Sequence, residues 1–329
     1  QNEKGGFLMK KQFLGRFRKT DPANIMNPEN YNRHLEQVEE GDASAQESGY
    51  AWFRMMAEQG YANAQFITAM CLRDGIGTEP DGEQALEWLE RSAAQGYHEA
   101  QFLLGVYHLH GGMDGVEEDE AEGLRLLELA VEQHDHDAEY FLGMHLLNLP
   151  GEGTDAEKRG FLLLQAAALS GVAKAEYELG RCLYFGVGTE ANREEGFSWV
   201  SRAAEAGLAD AQDFTGMCCI YGTGTETDET AGIQWLEKAA EQELPSGLFH
   251  LGDCYFQGHG VAEDFTKARY YLEKGAAAGS AEAQFAVGML LLNGERMKKD
   301  AEQAVQLLSR SAAQGNEEAM LQLGLCYLS

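Results

Sequence analysis

Small and apolar residues recur along this chain in a fixed order. One motif is Ala, then Gln or Glu, then an aromatic residue, with a small residue five positions after the Ala. Ala64 and Ala100 begin two copies 36 positions apart, and looser copies begin at Gly247 and Ala319. The full series begins at Ala64, Ala100, Ala138, Ala175, Ala211, Gly247, Ala283 and Ala319. A register held over this length indicates an array of internal repeats.

A second motif runs in phase with the first. A large apolar residue is followed by one or two alanines and, in most copies, by a glycine. Its copies begin at Trp52, Trp88, Leu126, Leu163, Trp199, Trp235, Tyr271 and Leu307. The two motifs predict two amphipathic helices in each repeat, helix A (for example about residues 62–73) and helix B. The small residues allow close packing of A against B, so we predict an all-α solenoid of helix–turn–helix repeats.

Glycine pairs separate helix A from helix B. Gly75-Ile76-Gly77, Gly186-Val187-Gly188, Gly222-Thr223-Gly224 and Gly258-His259-Gly260 have this form. They lack the lysine of a phosphate-binding loop, and no strand precedes them. We therefore predict turns in which glycine adopts a positive φ.

These residues resemble the Sel-one-like repeat family, a branch of the tetratricopeptide-like solenoids. The matching positions include Asn63-Ala64-Gln65, Leu251-Gly252, Gly258-His259-Gly260-Val261, Asp264 and Ala276-Ala277-Ala278-Gly279. The resemblance covers about residues 40–329 and implies a right-handed superhelix. The chain departs from the family pattern at Leu149-Pro150-Gly151, in the longer turn Gly111–Gly115, and at Glu295-Arg296-Met297.

The repeat register also predicts the domain organisation. Residues 1–27 form a basic, partly disordered N-terminal arm, and residues 28–60 form a degenerate first repeat. Residues 61–329 form about seven further repeats, of which the last is incomplete because it holds helix A alone. Leu321, Leu323, Leu325 and Leu328 would then lack a covering helix. Dimerisation through this end, or a further helix, would cover them.

Charge is distributed unevenly. The net charge is −29, while residues 1–20 hold six cations against Glu3, so the rest of the chain carries −34. Such a chain repels nucleic acid, and its field favours a basic protein partner. Residues 7–19 mix cations with apolar residues, which fits contact with a membrane surface, folding back on the acidic body, or a disordered tail. We find no transmembrane stretch and no secretory signal, which leaves bacterial cytoplasm and periplasm open.

The cysteines share one slot. Cys71, Cys182, Cys218, Cys254 and Cys326 each lie two residues after the small residue of helix A. Equivalent positions in stacked repeats are about 8–10 Å apart, farther than the roughly 7 Å that a disulfide spans. We predict free thiols that act as small core residues.

Several groups of polar residues are candidates for chemistry. His108, His110, His134 and His136 would be weak metal ligands, and the alternative is surface histidines at helix ends. The acidic run from Asp114 to Glu120 lacks the spacing of a calcium loop and fits a solvated loop. No motif of a catalytic nucleophile occurs, so we expect neither catalytic residues nor a cofactor.

Helix A lines the concave side in solenoids of this kind. Aromatic residues near the end of helix A are therefore candidate anchors for a partner on a concave, acidic face. They are Tyr107, Tyr184, Phe185, Tyr221, Tyr255 and Phe256. The leading hypothesis is a non-enzymatic adaptor or scaffold that binds a protein with basic patches.

The resemblance implies alternatives. The family includes bacterial immunity proteins that neutralise secreted toxins such as phospholipase effectors, and this chain would be suited to that task without catalytic residues. Some members are linked to β-lactam binding or hydrolysis, a weaker alternative because the nucleophile motif is missing. A factor in envelope assembly or secretion is a third alternative.

Overall fold

The computed structural model of the protein describes residues 28–149, 155–294 and 296–328. Every helix or strand assigned within these residues is an α-helix, which confirms the all-α repeat fold. The chain forms two compact units, divided between Leu142 and Gly143. The N-terminal arm, with its candidate membrane segment 7–19, lies outside the described residues.

Helices A and B alternate along both units. The first unit holds α1 (Pro28–Glu40), α2 (Ala43–Glu58), α3 (Ala62–Asp74), α4 (Gly82–Ala94), α5 (His98–His110), α6 (Glu120–Glu132) and the start of α7 (His136–Leu147). The second holds the end of α7, α8 (Asp155–Leu169), α9 (Ala173–Phe185), α10 (Arg193–Glu205), α11 (Ala209–Tyr221), α12 (Glu229–Glu241), α13 (Pro245–Gln257), α14 (Phe265–Ala278), α15 (Ala281–Asn293), α16 (Ala301–Ala313) and α17 (Glu317–Leu328). Odd numbers are A helices and even numbers are B helices.

Capping residues set where the B helices begin. Asp81, for example, accepts a hydrogen bond from the backbone N–H of Gln84 at 2.9 Å, which satisfies one of the free donors of the first turn of α4. Asp119, Asn192, Asp228, Asp264 and Asp300 cap later B helices in the same way. The Asp or Asn that precedes these B helices is therefore a structural signal, and the aspartates add negative charge as well.

The glycine turns have the predicted backbone. Gly75, Gly186, Gly222 and Gly258 end A helices in the left-handed region, and the second glycine of each pair also has a positive φ. The second glycine additionally lies against the preceding B helix. A Cβ added at Gly260 would stand 2.7 Å from the carbonyl oxygen of Glu229. Each turn therefore connects helix A to helix B and also packs on the B helix of the preceding repeat.

Small residues hold each A helix close to its B helix. A Cβ added at Gly216 would lie 2.9 Å from the side chain of Leu236, which is fully buried. The cysteines that follow these small residues are free thiols, as predicted. Five are buried and Cys326 is half-buried. Burial raises the pKa of Cys71 and of Cys254 to about 12, Asp74 and Asp253 adding to the respective shifts, so both thiols stay protonated at neutral pH.

A ladder of glutamines, one buried and one exposed in each pair, joins successive repeats. Gln65 donates to the carbonyl of Ala57 at 3.2 Å, and Gln95 donates to the side-chain oxygen of Gln65 at 2.6 Å. The same two bonds recur at Gln101 with Gln133 in the first unit, and at Gln212 with Gln242 and Gln284 with Gln314 in the second. The Gln of the first motif therefore pairs with buried backbone and links one B helix to the next.

The irregular turns and the last helix differ from the rest. In the longer turn Gly111–Gly115, the side chain of Met113 is buried in the hydrophobic core of the first unit. Leu321 and Leu325 of α17 are exposed, and a Cβ added at Gly324 would meet no atom within 4 Å. Dimerisation through this face stays a prediction. Pro150, Gly151 and Glu295 lie outside the described residues.

Candidate protein-binding face

Neighbouring A helices in the second unit lie side by side. α11 contacts α13, and α13 contacts α15. Residues spaced three or four apart share one side of a helix. In α11 and α13 the second, fifth, ninth and thirteenth helical positions lie on one side, and all of these residues except the buried Asp213 are half-buried or exposed. We call this surface the A-face; it comprises Asp210, Asp213, Met217, Tyr221, Ser246, Phe249, Asp253 and Gln257.

Two of the predicted aromatic anchors are well exposed. Phe185 is 60% exposed and Tyr221 is 55% exposed, and both end A helices. The ring of Phe185 lies 5.0 Å from that of Tyr184 and 6.1 Å from that of Phe214. The ring of Tyr221 lies 6.2 Å from that of His259. Phe185 and Tyr221 therefore present apolar surface on well-supported rings.

The other predicted anchors offer less surface. Tyr107 is buried, and its hydroxyl accepts a hydrogen bond of 2.9 Å from Arg73. Tyr255 is buried as well and stacks on Tyr271, with 5.8 Å between ring centroids. Tyr184 and Phe256 are half-buried. Tyr107 and Tyr255 are thus parts of the core, and a partner would meet little of either ring.

Aspartates of the A-face lie near side chains of neighbouring A helices. Asp213 and His250 of the next A helix form a hydrogen bond of 2.7 Å. Burial raises the pKa of Tyr221, and the negative charge of Asp253 adds to the shift. Burial also raises the pKa of Tyr177 to about 12; Arg181 opposes this shift, and Asp210 is among the charges that add to it. The aspartates therefore act on the rings of neighbouring A helices.

The charge of this region has one sign. Residues 209–228 and 245–264, which comprise α11, α13 and the turns that follow them, contain no Lys or Arg. They contain the acids Asp210, Asp213, Glu226, Asp228, Asp253, Glu263 and Asp264. Cations of this part of the second unit lie on B helices instead, at Arg202, Lys238 and Lys267. The A-face therefore combines exposed aromatic surface with an excess of negative charge.

The four candidate metal ligands have other surroundings. His108 bonds through Nδ1 to the carbonyl oxygen of Glu117 at 2.9 Å, and His136 pairs with Glu139 at 2.8 Å. His134 takes a positive φ of 60° where other repeats have glycine, and His110 ends α5. In the described part of the chain, no three His, Cys, Asp or Glu side chains stand close enough to hold a metal ion.

The sequence predicted an acidic concave face and its aromatic anchors, but it did not identify the aspartates or Met217 of the A-face. The repeat register could have predicted the contact between Asp213 and His250. Asp213 and His250 are 37 positions apart, as are His98 and Asp135, so pairs separated by one repeat are neighbours in space.

The described helices include none that is both long and apolar enough to cross a bilayer.

Comparison with known proteins identifies the repeats. The Sel1 repeat matches nine consecutive stretches of the chain, residues 41–61, 62–97, 98–135, 136–172, 173–208, 209–244, 245–280, 281–316 and 317–329. No curated protein matches the chain.

Solved structures share the architecture. The chain is similar to c5321, a protective antigen of uropathogenic Escherichia coli strains with an SLR fold, at 28% identity and a TM-score of 0.69. That match covers 84% of this chain and 59% of c5321, so the chain spans little more than half of that relative. A Sel1 repeat protein from Oxalobacter formigenes is 26% identical with a TM-score of 0.63, over 97% of this chain and 92% of the other. Immunity protein Pa5087 from Pseudomonas aeruginosa is 22% identical with a TM-score of 0.42, over 68% and 82% respectively.

Proposed function

The chain belongs to the Sel1 repeat family, and we propose that it works as a non-enzymatic adaptor or scaffold whose A-face binds a protein partner with basic patches. Stacked helical repeats provide extended surfaces for such binding. The observation that carries the proposal is the A-face itself, where Tyr221 is exposed among carboxylates and no Lys or Arg lies in the surrounding segments.

The two parts of this surface have different tasks. The excess of carboxylates attracts a basic partner from a distance and raises the rate of encounter. Exposed aromatic rings such as Phe185 and Tyr221 provide the desolvated contacts that hold a complex together. We therefore expect charge to govern the association rate, and ring burial to govern the dissociation rate.

The test is capture of the partner followed by cross-linking mass spectrometry. We expect the partner to cross-link to residues of α11 and α13 and to be released as salt is raised. Asp210→Lys with Asp253→Lys should abolish capture. The matched control places the same charges on exposed acids of the first unit, Glu79→Lys with Glu83→Lys, and should weaken capture only slightly.

A second pair of variants tests the aromatic contribution. Tyr221→Ala should shorten the lifetime of the complex about tenfold, because a central aromatic anchor contributes about 1–2 kcal/mol or more. Tyr270 is 59% exposed but lies on the B helix α14, so Tyr270→Ala is the control. Cross-links confined to B helices would refute the proposal. An immunity protein that neutralises a secreted toxin would be one case of this function, and the identity of the captured protein decides it.

A further inference from the structure

We infer that the A-face of α11 and α13 binds an extended polypeptide segment of about six residues in which arginine alternates with apolar side chains. The inference rests on the proposed function and deepens it, because it names the chemistry of the bound segment. It follows from the exposed ring of Tyr221, from the carboxylates beside that ring, and from the cations that bound the A-face on both sides.

The length of the segment follows from helix spacing. Packed helices lie about 8–10 Å apart, so the A-face across α11 and α13 extends for roughly 20 Å. An extended chain advances about 3.3–3.6 Å per residue. About six residues therefore cover both helices.

Charge marks where the acidic stretch ends. Arg181 is exposed at the ninth position of α9, the position that Met217 holds in α11, and its guanidinium pairs with Glu178 at 3.0 Å. Beyond α13, Arg296 pairs with Glu263 at 2.8 Å and lies over the ring of Phe256 at 5.1 Å. Each of these arginines offsets an acid, so the excess of negative charge is confined to the two repeats between them.

The contacts of Tyr221 favour arginine over lysine. Its exposed ring can stack with a planar guanidinium, and Asp253, on the same face of the contacting helix α13, can accept hydrogen bonds from the same group. An ammonium group makes the ion pair but cannot stack in the same way. Met217 and Phe249 are half-buried on the same face and offer contact to the intervening apolar side chains.

Fluorescence anisotropy with three labelled hexapeptides tests the inference on the full chain. The first alternates Arg with Leu, the second Lys with Leu, and the third Glu with Leu. We expect the Arg peptide to bind about fivefold tighter than the Lys peptide, and the Glu peptide not to bind. Tyr221→Ala and Asp253→Asn should each weaken the Arg peptide about tenfold. The controls on α14, Tyr270→Ala and Glu273→Gln, should leave its affinity unchanged.

Equal binding of the Arg and Lys peptides, or equal loss in the Tyr221 and Tyr270 variants, would mean general charge attraction and would overturn the inference. Absence of binding to the Arg peptide would overturn it as well. The proposed function fails separately. If the captured partner cross-links to the A-face but competes with none of the peptides, only this inference is wrong. If the cross-links are restricted to B helices, both this inference and the proposed function are wrong.

Discussion

Arg202 donates a hydrogen bond of 2.6 Å to Glu176, at the place where other repeats join two glutamine side chains. Glu176 occupies the slot of Gln65, and its side chain is only 6% exposed. Ala206 occupies the slot of Gln95 and cannot donate, so the donor comes from Arg202, one turn earlier in α10. The guanidinium also lies 4.3 Å from the ring centroid of Trp199. One repeat thus replaces a neutral pair with an ion pair.

We predict that Arg202→Ala lowers the free energy of unfolding by about 2 kcal/mol, because it leaves a buried carboxylate without a partner. The half-exposed guanidinium keeps the loss below that of a fully buried pair. Adding Glu176→Gln should restore most of the loss. Arg269→Ala removes an exposed pair with Glu273 and should cost about 0.5 kcal/mol or less. Denaturant unfolding measures all four proteins, and an equal effect of Arg202→Ala and Arg269→Ala would contradict the prediction.

The repeat register allowed much of the fold to be predicted, because one physical constraint recurs at each slot. Close packing requires a small residue at Gly216 and its equivalents, and the positive φ at Gly75 favours glycine. The cysteine slot could be interpreted for the same reason. The ladder of Gln65 and Gln95 was missed, since a Gln in a motif does not reveal which carbonyl it faces.

The candidate site was less predictable than the fold. Tyr107 and Tyr221 stand at similar points near the end of helix A, yet one is buried against Arg73 and the other is exposed. The difference is one of position around the helix: Tyr107 is the tenth residue of α5, and Tyr221 is the thirteenth of α11. The position of a residue around the helix decides whether its ring faces outward. The presence of an aromatic residue near the end of helix A does not by itself predict this.

Two threonines occupy core slots that hold leucine in other repeats. Thr68 and Thr215 are buried, and within the described part of the chain neither hydroxyl has a hydrogen-bond partner. Leu104 and Leu251 are among the residues at the equivalent positions. We predict that Thr68→Val and Thr215→Val each raise the free energy of unfolding by about 1 kcal/mol, because a buried hydroxyl without a partner is costly.

The control is another buried hydroxyl that does have a partner. Ser92 donates to the carbonyl of Ala62 at 2.7 Å, so Ser92→Ala should lower stability by about 1 kcal/mol. Thermal and denaturant unfolding give the comparison. A loss of stability in the threonine variants would show that their hydroxyls are satisfied in solution.

Glu243, two residues after the end of α12, adopts a backbone conformation that favours glycine. Glu243 has a φ of 58°, whereas Gly207 and Gly96 hold the equivalent place in other repeats. We predict that Glu243→Gly stabilises the protein by about 0.5–1 kcal/mol, because left-handed backbone is strained for an L side chain. Its exposed ion pair with Lys274 contributes little to offset this gain. The same substitution two residues earlier, Glu241→Gly, lies within the helix and should cost about 1 kcal/mol. Equal effects at the two positions would contradict the prediction.

His98 couples the stability of the first unit to pH. Burial alone would lower the pKa of His98, but the hydrogen bond with Asp135 at 2.7 Å and the charge of Glu99 outweigh it and raise the pKa. The folded state therefore holds its proton at a pH where the unfolded chain has lost it. This contribution to stability is fully present below the unfolded value of about 6.5 and disappears as pH rises through the folded pKa.

We expect the wild-type protein to exceed His98→Gln in unfolding free energy by more at pH 6 than at pH 8.5. Asp135→Asn removes the charge but keeps an oxygen that can accept from the N–H of Ala138, as Asp135 does at 2.8 Å. Like His98→Gln, this variant should show a weaker dependence of unfolding free energy on pH than the wild-type protein. Titration of the His98 ring by NMR measures the pKa directly. A difference between wild type and His98→Gln that is independent of pH, or a ring pKa below that of an unfolded histidine, would refute the coupling, because the proton would then not be bound more tightly by the folded protein.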